Sequence, residues 1–177
     1  MKQVLSILVQ NQPGVLVRVA GMFSRRGFNI DSLAVGVTQD VQYSRITAVV
    51  CGDQSIVAQV IKQLEKLIEV VAVQVLADNA SVNRGMALLK VRVGDRRAEV
   101  LKLAEVFRAN AVDVQEHTLT LEITGDEDKI NALADLLVPY GLLEMIRTGV
   151  IGLARGENTI YQNLSCEEKD IYEQNVL

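Results

Sequence analysis

Tryptophan is absent, histidine occurs once and cysteine twice in this 177-residue chain. Each scarcity removes a class of chemistry. Cys51, Cys166 and the single His117 lie too far apart in sequence to give a metal-ligand spacing. Cys51 closes an apolar strand pattern and Cys166 lies in a polar stretch, so no structural disulfide is expected and the setting reads as reducing and cytoplasmic. His117 falls between Glu116 and Thr118 in a hairpin turn, which suits a solvated loop histidine better than a catalytic one. There is no GxGxxG and no P-loop. No apolar run approaches the ~20 residues of a membrane span, and Met1 leads straight into a strand pattern, which leaves no room for a signal segment. Basic residues are outnumbered, 18 Lys and Arg against 22 Asp and Glu, which argues against a nucleic-acid partner. The pairs Arg25-Arg26 and Arg96-Arg97 read as solvated helix ends.

What the chain has is apolar residues in regular patterns. They make up 49% of it, enough for one core or two small ones. Val4 to Val9 reads as a strand. From Val15, the residues Val15, Val19, Met22 and Phe23 recur at helical spacing, and Gly27 stops the helix. Phe28 to Val37 and Tyr43 to Val50 read as strands joined at Thr38-Gln39-Asp40. Asp53 is a natural N-cap for a helix carrying Ile56, Val57, Val60, Ile61, Leu64 and Leu67, and Glu69 to Leu76 supplies a fourth strand. The order is β-α-β-β-α-β, the split βαβ of ferredoxin-like folds.

After a polar link from Asp78 to Arg84 the order begins again. Met86 to Val93 is a strand, Arg96 to Arg108 a helix, Val112 to Gln115 and Leu119 to Thr124 a hairpin, Asp126 to Tyr140 a helix and Leu142 to Thr148 a strand. Pairing Phe23 with Phe107 also pairs Ala20 with Ala104, Val19 with Leu103 and Leu16 with Val100. Further on, Gly52-Asp53 falls on Gly125-Asp126, with Val60 on Leu133 and Leu64 on Leu137. The expectation is an internal repeat. In that pairing Gly14 becomes Ala98, so the turn at Gly14 belongs to the first copy alone. Gly149 to Arg155 is expected to close the second unit, and 156–177 to be a polar, acidic tail in which Ser165 and Glu168 fit a capping box.

The stretch from Val9 to Leu33 holds the candidate site. A helix that starts on Gly14 offers the N–H groups around Val15 and Leu16 to an anion, a carboxylate included. Alternatively, Pro13-Gly14 is only a strand-to-helix turn. Asn11 and Asn29, read as lying at adjacent ends of the first two strands, offer amide oxygens to an ammonium, with Val15, Ile30 and Val35 as an apolar patch. Against this, Asn11 could simply tie the turn together and Asn29 cap a corner. An acylphosphatase-like enzyme would need an arginine in the loop, and none occurs before Arg18. The residues favour a module that binds a free amino acid.

Asn11-Gln-Pro-Gly14-Val-Leu-Val-Arg-Val-Ala-Gly-Met-Phe-Ser-Arg-Arg-Gly-Phe-Asn29-Ile-Asp-Ser-Leu closely resembles the ACT domain that opens the regulatory (small) subunit of acetohydroxyacid synthase, also called acetolactate synthase. The likeness continues through Ser44-Arg45-Ile46-Thr47, 62–67, Leu88-Leu89-Lys90-Val91 and 147–155, and so covers about residues 2 to 155. The resemblance implies an α+β chain of two tandem ferredoxin-like domains. These are an ACT domain over 1–77, a linker at 78–84, a C-terminal domain over 85–155 and the tail. It implies no catalysis and no cofactor in this chain. It implies a homodimer through the ACT domains and a large catalytic subunit carrying thiamine diphosphate, Mg and FAD. Feedback inhibition would come from a branched-chain amino acid, usually valine, held by Asn11, Gly14, Val15, Leu16, Asn29 and Ile30. The alternative is an ACT-type sensor acting on a different enzyme or regulator. The chain departs from the family's usual pattern at Val82-Asn83-Arg84-Gly85, where Val-Glu-Arg-Glu is common, and at Val37, where proline is frequent.

Overall fold

The structure, a computed structural model, describes residues 2–164. The described chain divides into two units: the first takes residues 2–82 together with 150–164, and the second takes Asn83–Gly149.

The first unit contains strand β1 (Lys2–Gln10), helix α1 (Val15–Arg25), β2 (Ile30–Val37), β3 (Tyr43–Cys51), α2 (Gln54–Leu64) and β4 (Val70–Leu76). The sheet runs β2-β3-β1-β4, and β1 pairs antiparallel with β3 and β4. Strand alternation puts Leu5, Ile7, Val9, Ile46, Ala48 and Val50 on one face. There they meet Val15, Val19, Met22 and Phe23 of α1 and Val57, Val60 and Leu64 of α2, all buried. Phe23 and Phe28 stack edge to face with centroids 6.5 Å apart. The opposite face buries Leu8, Tyr43 and Ala72 under Ile160 and Leu164.

The second unit repeats the plan. Strand β5 (Ser81–Arg92) leads into it, followed by a 3-10 turn (Gly94–Arg96), α3 (Arg97–Val106), β6 (Asn110–Val114), β7 (Thr118–Gly125), α4 (Glu127–Leu137) and β8 (Leu142–Ala154). The sheet order, β6-β7-β5-β8, is the same as in the first unit. The expected α+β fold of two tandem ferredoxin-like units is what the structure has.

The repeat is plainest at the second helices. Asp53 Oδ1 accepts from Ile56 N and Asp126 Oδ1 from Lys129 N, each at 2.9 Å. A Cβ on Gly52 would stand 2.7 Å from the branched Ile56 side chain, and one on Gly125 would stand 2.6 Å from Lys129 Cδ, a flexible chain that can move aside, so bare backbone before the cap matters most at Gly52. The pairs Val60–Leu133 and Leu64–Leu137 are buried in both copies, as expected.

The first helices need a correction of three residues. Pairing Leu16 with Val100 sets a 41% exposed residue against one fully buried. The backbone gives the register instead. Gly27 (φ 68) ends α1 and Arg108 (φ 53) ends α3, with Phe28 N donating to Phe23 O and Ala109 N to Ala104 O. Val19 therefore matches Val100, Met22 matches Leu103 and Phe23 matches Ala104.

Two boundaries also differ. The polar link becomes strand from Ser81, which is buried and whose hydroxyl donates to Ala77 O at 2.7 Å. Strand β8 does not stop at Thr148. Its continuation groups with the first unit: Val150 N donates to Ser32 Oγ (2.9 Å), Arg155 N to Ala80 O (2.8 Å) and Arg155 Nε to Ser81 O (3.0 Å). The expected tail is not wholly polar surface either. A 3-10 turn at Ile160–Asn163 buries Ile160 and Leu164 against the first sheet. The suggested Ser165–Glu168 cap lies outside the described residues. A capping box that was not anticipated forms at Thr159 and Gln162.

Candidate functional site

Gly14 is the N-cap of α1 at φ 86 and ψ −10, a left-handed conformation that a side chain disfavours. Open space surrounds it: a Cβ there would meet nothing within 4 Å. No side chain caps the helix, and no acidic residue occupies its first turn. Val15 N reaches only Gln12 O, at 3.4 Å. Val15 is buried in the core while Leu16 and Val17 face out. The helix start is therefore fixed from beneath by Val15 and open from above, an arrangement suited to a carboxylate. The guanidinium of Arg18, one turn along, is engaged by Glu69 and does not enter the turn.

Asn11 ties the turn to the β2–β3 hairpin. Its backbone N–H donates to Gln42 O (2.7 Å) and its Nδ2 to Val41 O (2.8 Å), while its Oδ1 accepts from Ser44 Oγ (3.1 Å). The tie is thus real, and the amide oxygen keeps one lone pair to offer. The second unit makes the equivalent tie differently: Arg97 Nη2 donates to Gln115 O (2.5 Å) and Glu116 O (2.6 Å). Arg96 Nη2 donates to Pro139 O at 2.9 Å, so neither arginine is merely a solvated helix end. His117 is exposed in the hairpin turn, and its carbonyl accepts from Val93 N.

The other half of the expected site is elsewhere. A strand–helix–strand unit makes β1 and β2 parallel, so the loop after β1 and the loop before β2 lie at opposite ends of the sheet. The register shows it: Gln10 pairs with Tyr43, whereas Ile30 pairs with Val50, whose β1 partner is Gln3. Asn29 and Ile30 are thus seven residues of strand from Asn11 and Gly14, roughly 23 Å. Within one chain the structure brings Asn11, Gly14, Val15 and Leu16 together and does not bring Asn29 and Ile30 to them.

Asn29 belongs to a polar cluster centred on Asp31, which sequence reasoning missed. Asn29 Nδ2 donates to Asp31 Oδ1 (3.0 Å), the Cys51 thiol donates to Asp31 Oδ2 (3.1 Å), and Lys2 Nζ stands 3.6 Å from that oxygen. The thiol hydrogen bond is the largest influence holding the Asp31 carboxyl below the usual value, with Lys2 and Asn29 assisting against some desolvation. The same bond pushes the Cys51 thiol up. Period-two spacing of Asn29 and Asp31 was the available signal. β2 itself is the edge of the sheet, with Val35 and Val37 about half exposed. Among the described residues no three metal-ligating side chains cluster, and no helix is long and apolar enough to cross a membrane.

Two ferredoxin-like units in tandem, the first with an uncapped helix start after β1 and with β2 at the edge of its sheet, have the architecture of an ACT-type protein. Residues 5–72 match the family described as the AHAS small subunit-like ACT domain, and residues 84–156 match that described as the small subunit of acetolactate synthase. The chain belongs to the acetolactate synthase small-subunit family. It is 48% identical over 157 residues to a probable acetolactate synthase small subunit of Archaeoglobus fulgidus, covering 88% of this chain and 98% of that one. It is 49% identical over 158 residues to the small subunit of Mycobacterium leprae, covering 88% and 93%. The solved structure of the acetolactate synthase small subunit from Thermotoga maritima superposes with a TM-score of 0.85 at 38% identity, covering 89% of this chain and 99% of that one.

Proposed function

We propose that this chain is a non-catalytic regulatory subunit that raises the activity of a large acetolactate synthase subunit and inhibits it when a branched-chain amino acid, valine foremost, binds between two ACT units. The observation that carries the reading is the division of the candidate site into two halves at opposite ends of β2. Two copies pairing their β2 edges antiparallel about a two-fold axis set the start of one β2 beside the end of the other. Asn11, Gly14, Val15 and Leu16 of one protomer then face the Asn29 and Ile30 of its partner. Valine's carboxylate sits over the helix start, its ammonium meets the asparagine amide oxygens, and its side chain meets the apolar rim. The exposed Val35 and Val37 would be covered by the same pairing.

The catalytic chemistry belongs, in this reading, to the large subunit, with thiamine diphosphate, Mg and FAD bound there and both subunits in the cytoplasm. The amino acid acts by its differential affinity for two arrangements of the complex, typically about 1–3 kcal/mol of coupling. Calorimetric titration of the purified chain with valine, leucine and isoleucine tests it. One ligand per protomer is expected, with valine the tightest. Copurification with a large thiamine-dependent synthase tests the partner. Absence of heat with all three amino acids would remove the effector reading.

A further inference from the structure

We infer that the segment 159–164 is a clasp that positions the effector turn by holding the β2–β3 hairpin from the far face of the sheet. This rests on the effector reading above, because the turn it positions is the one that reading assigns. The clasp is built as a fixed piece. The Thr159 side chain accepts from Gln162 N–H and the Gln162 side chain accepts from Thr159 N–H, so the turn is closed at both ends. Ile160 is 1% and Leu164 6% exposed, packed on Leu8, Tyr43 and Ala72. Between them Tyr161 donates its hydroxyl to Gln39 Oε1 (3.3 Å) and lies against the Arg45 guanidinium, 5.9 Å from the ring centroid. Every one of these contacts is to β1, β4 or the hairpin.

The hairpin is what the clasp and the candidate site share. Tyr43, under Ile160, closes the hairpin through Tyr43 N to Asp40 O and Thr38 N to Tyr43 O, both 3.0 Å. The next residues inward, Val41 and Gln42, are those whose carbonyls receive Asn11, and Ser44 donates to the Asn11 amide oxygen. Asn11 is thus oriented by a loop whose other side is held by Ile160 and Tyr161. Residues 157–164 lie beyond the family match, which ends at 156. A turn whose binding-competent form is only partly populated binds more weakly by that fraction. Unseating the clasp therefore lowers effector affinity without touching an effector contact.

The test uses the full chain carrying Ile160→Asp with Leu164→Asp, and separately Tyr161→Ala, which keeps the two apolar anchors. Circular dichroism verifies the fold, calorimetry measures valine binding, and hydrogen exchange follows the amides of Asn11, Thr38 and Tyr43. The double variant is expected to bind valine about tenfold more weakly and to exchange those three amides at least tenfold faster. Tyr161→Ala should move both readouts in the same direction by about threefold, and it decides the matter if the double variant does not fold. Unchanged exchange, or faster exchange with unchanged valine affinity, overturns the inference. If the wild-type chain binds no branched-chain amino acid, the effector reading fails on its own. Faster exchange of the three amides then still supports the clasp holding the hairpin, and unchanged exchange refutes it.

Discussion

Replacing Gly14 by aspartate separates ligand binding from folding, because the structure sets the two costs far apart. The backbone there is left-handed, so a side chain costs about 1–2 kcal/mol. There is no steric addition, since a Cβ meets nothing within 4 Å. A negative charge at a helix start returns roughly 0.3–1 kcal/mol. The net change in stability is thus about 1 kcal/mol, a shift of a few degrees in melting temperature. The effect on an incoming carboxylate is larger. Two like charges about 5 Å apart, at an effective dielectric of about 20, repel by about 3 kcal/mol, or roughly a hundredfold in affinity. Gly14→Ala carries the same backbone strain without the charge and should bind valine within about threefold of wild type. The assays are thermal melting and calorimetry on the isolated chain, then valine inhibition of the enzyme reconstituted with its large subunit. A folded Gly14→Asp protein that binds valine within threefold of wild type would refute the placement of the carboxylate at this turn.

The two aspartate caps give a second test. Asp53→Ala and Asp126→Ala each remove one side-chain bond to a helix N–H, and each should cost about 1 kcal/mol, read in urea denaturation, with Asp53→Ala the costlier because it also frees the Ser55 hydroxyl. A cost at one position only would contradict their equivalence as repeats. A third prediction concerns pH. The carboxyl of Asp31, held down chiefly by the Cys51 thiol, and that of Asp53, held down by the Ser55 hydroxyl and the Ile56 N–H, both lie below the ordinary value in the folded chain. The unfolded chain therefore takes up protons first as pH falls through about 4. The stability these groups supply is present above that pH and is lost as pH drops through their folded values. Asp31→Asn should weaken this acid dependence and also release the Cys51 thiol, moving its alkylation profile to lower pH. An unmoved alkylation profile would contradict the thiol–carboxylate bond.

Much of the fold was legible because local chemistry and tertiary packing agree in it. Val15, Val19, Met22 and Phe23 are spaced for one face of a helix, and all four are in the core. Asp53 and Asp126 announce the helices they cap. The turn at Gly14 could be read from an uncapped helix start, and the structure leaves it open. The errors came where direction or depth, which spacing does not encode, decides the outcome. Asn11 and Asn29 flank the same helix in sequence, yet the parallel course of β1 and β2 sends them to opposite ends of the sheet. Phe107 looked like the partner of Phe23, but Ala104 holds that place and Phe107 is only partly buried. The stretch 156–164 looked like solvent-facing tail because its two buried residues, Ile160 and Leu164, are spaced four apart among polar neighbours. The Thr-x-x-Gln signature at Thr159 was the sign that the chain had not finished folding there.

The division of the first unit between the start and the end of the chain has a consequence for the order of assembly. Its far sheet face is completed by Ile160 and Leu164, and the second unit, Asn83–Gly149, falls between the two parts in sequence. During synthesis the β2-β3-β1-β4 sheet can form early, but Leu8, Tyr43 and Ala72 stay uncovered until Ile160 and Leu164 have left the ribosome. The N-terminal unit is thus the last to close. The second unit, contiguous in sequence, can finish first and shorten the loop whose ends must then meet. A chain interrupted anywhere before Leu164 leaves its first domain, and the hairpin that orients Asn11, without their cover.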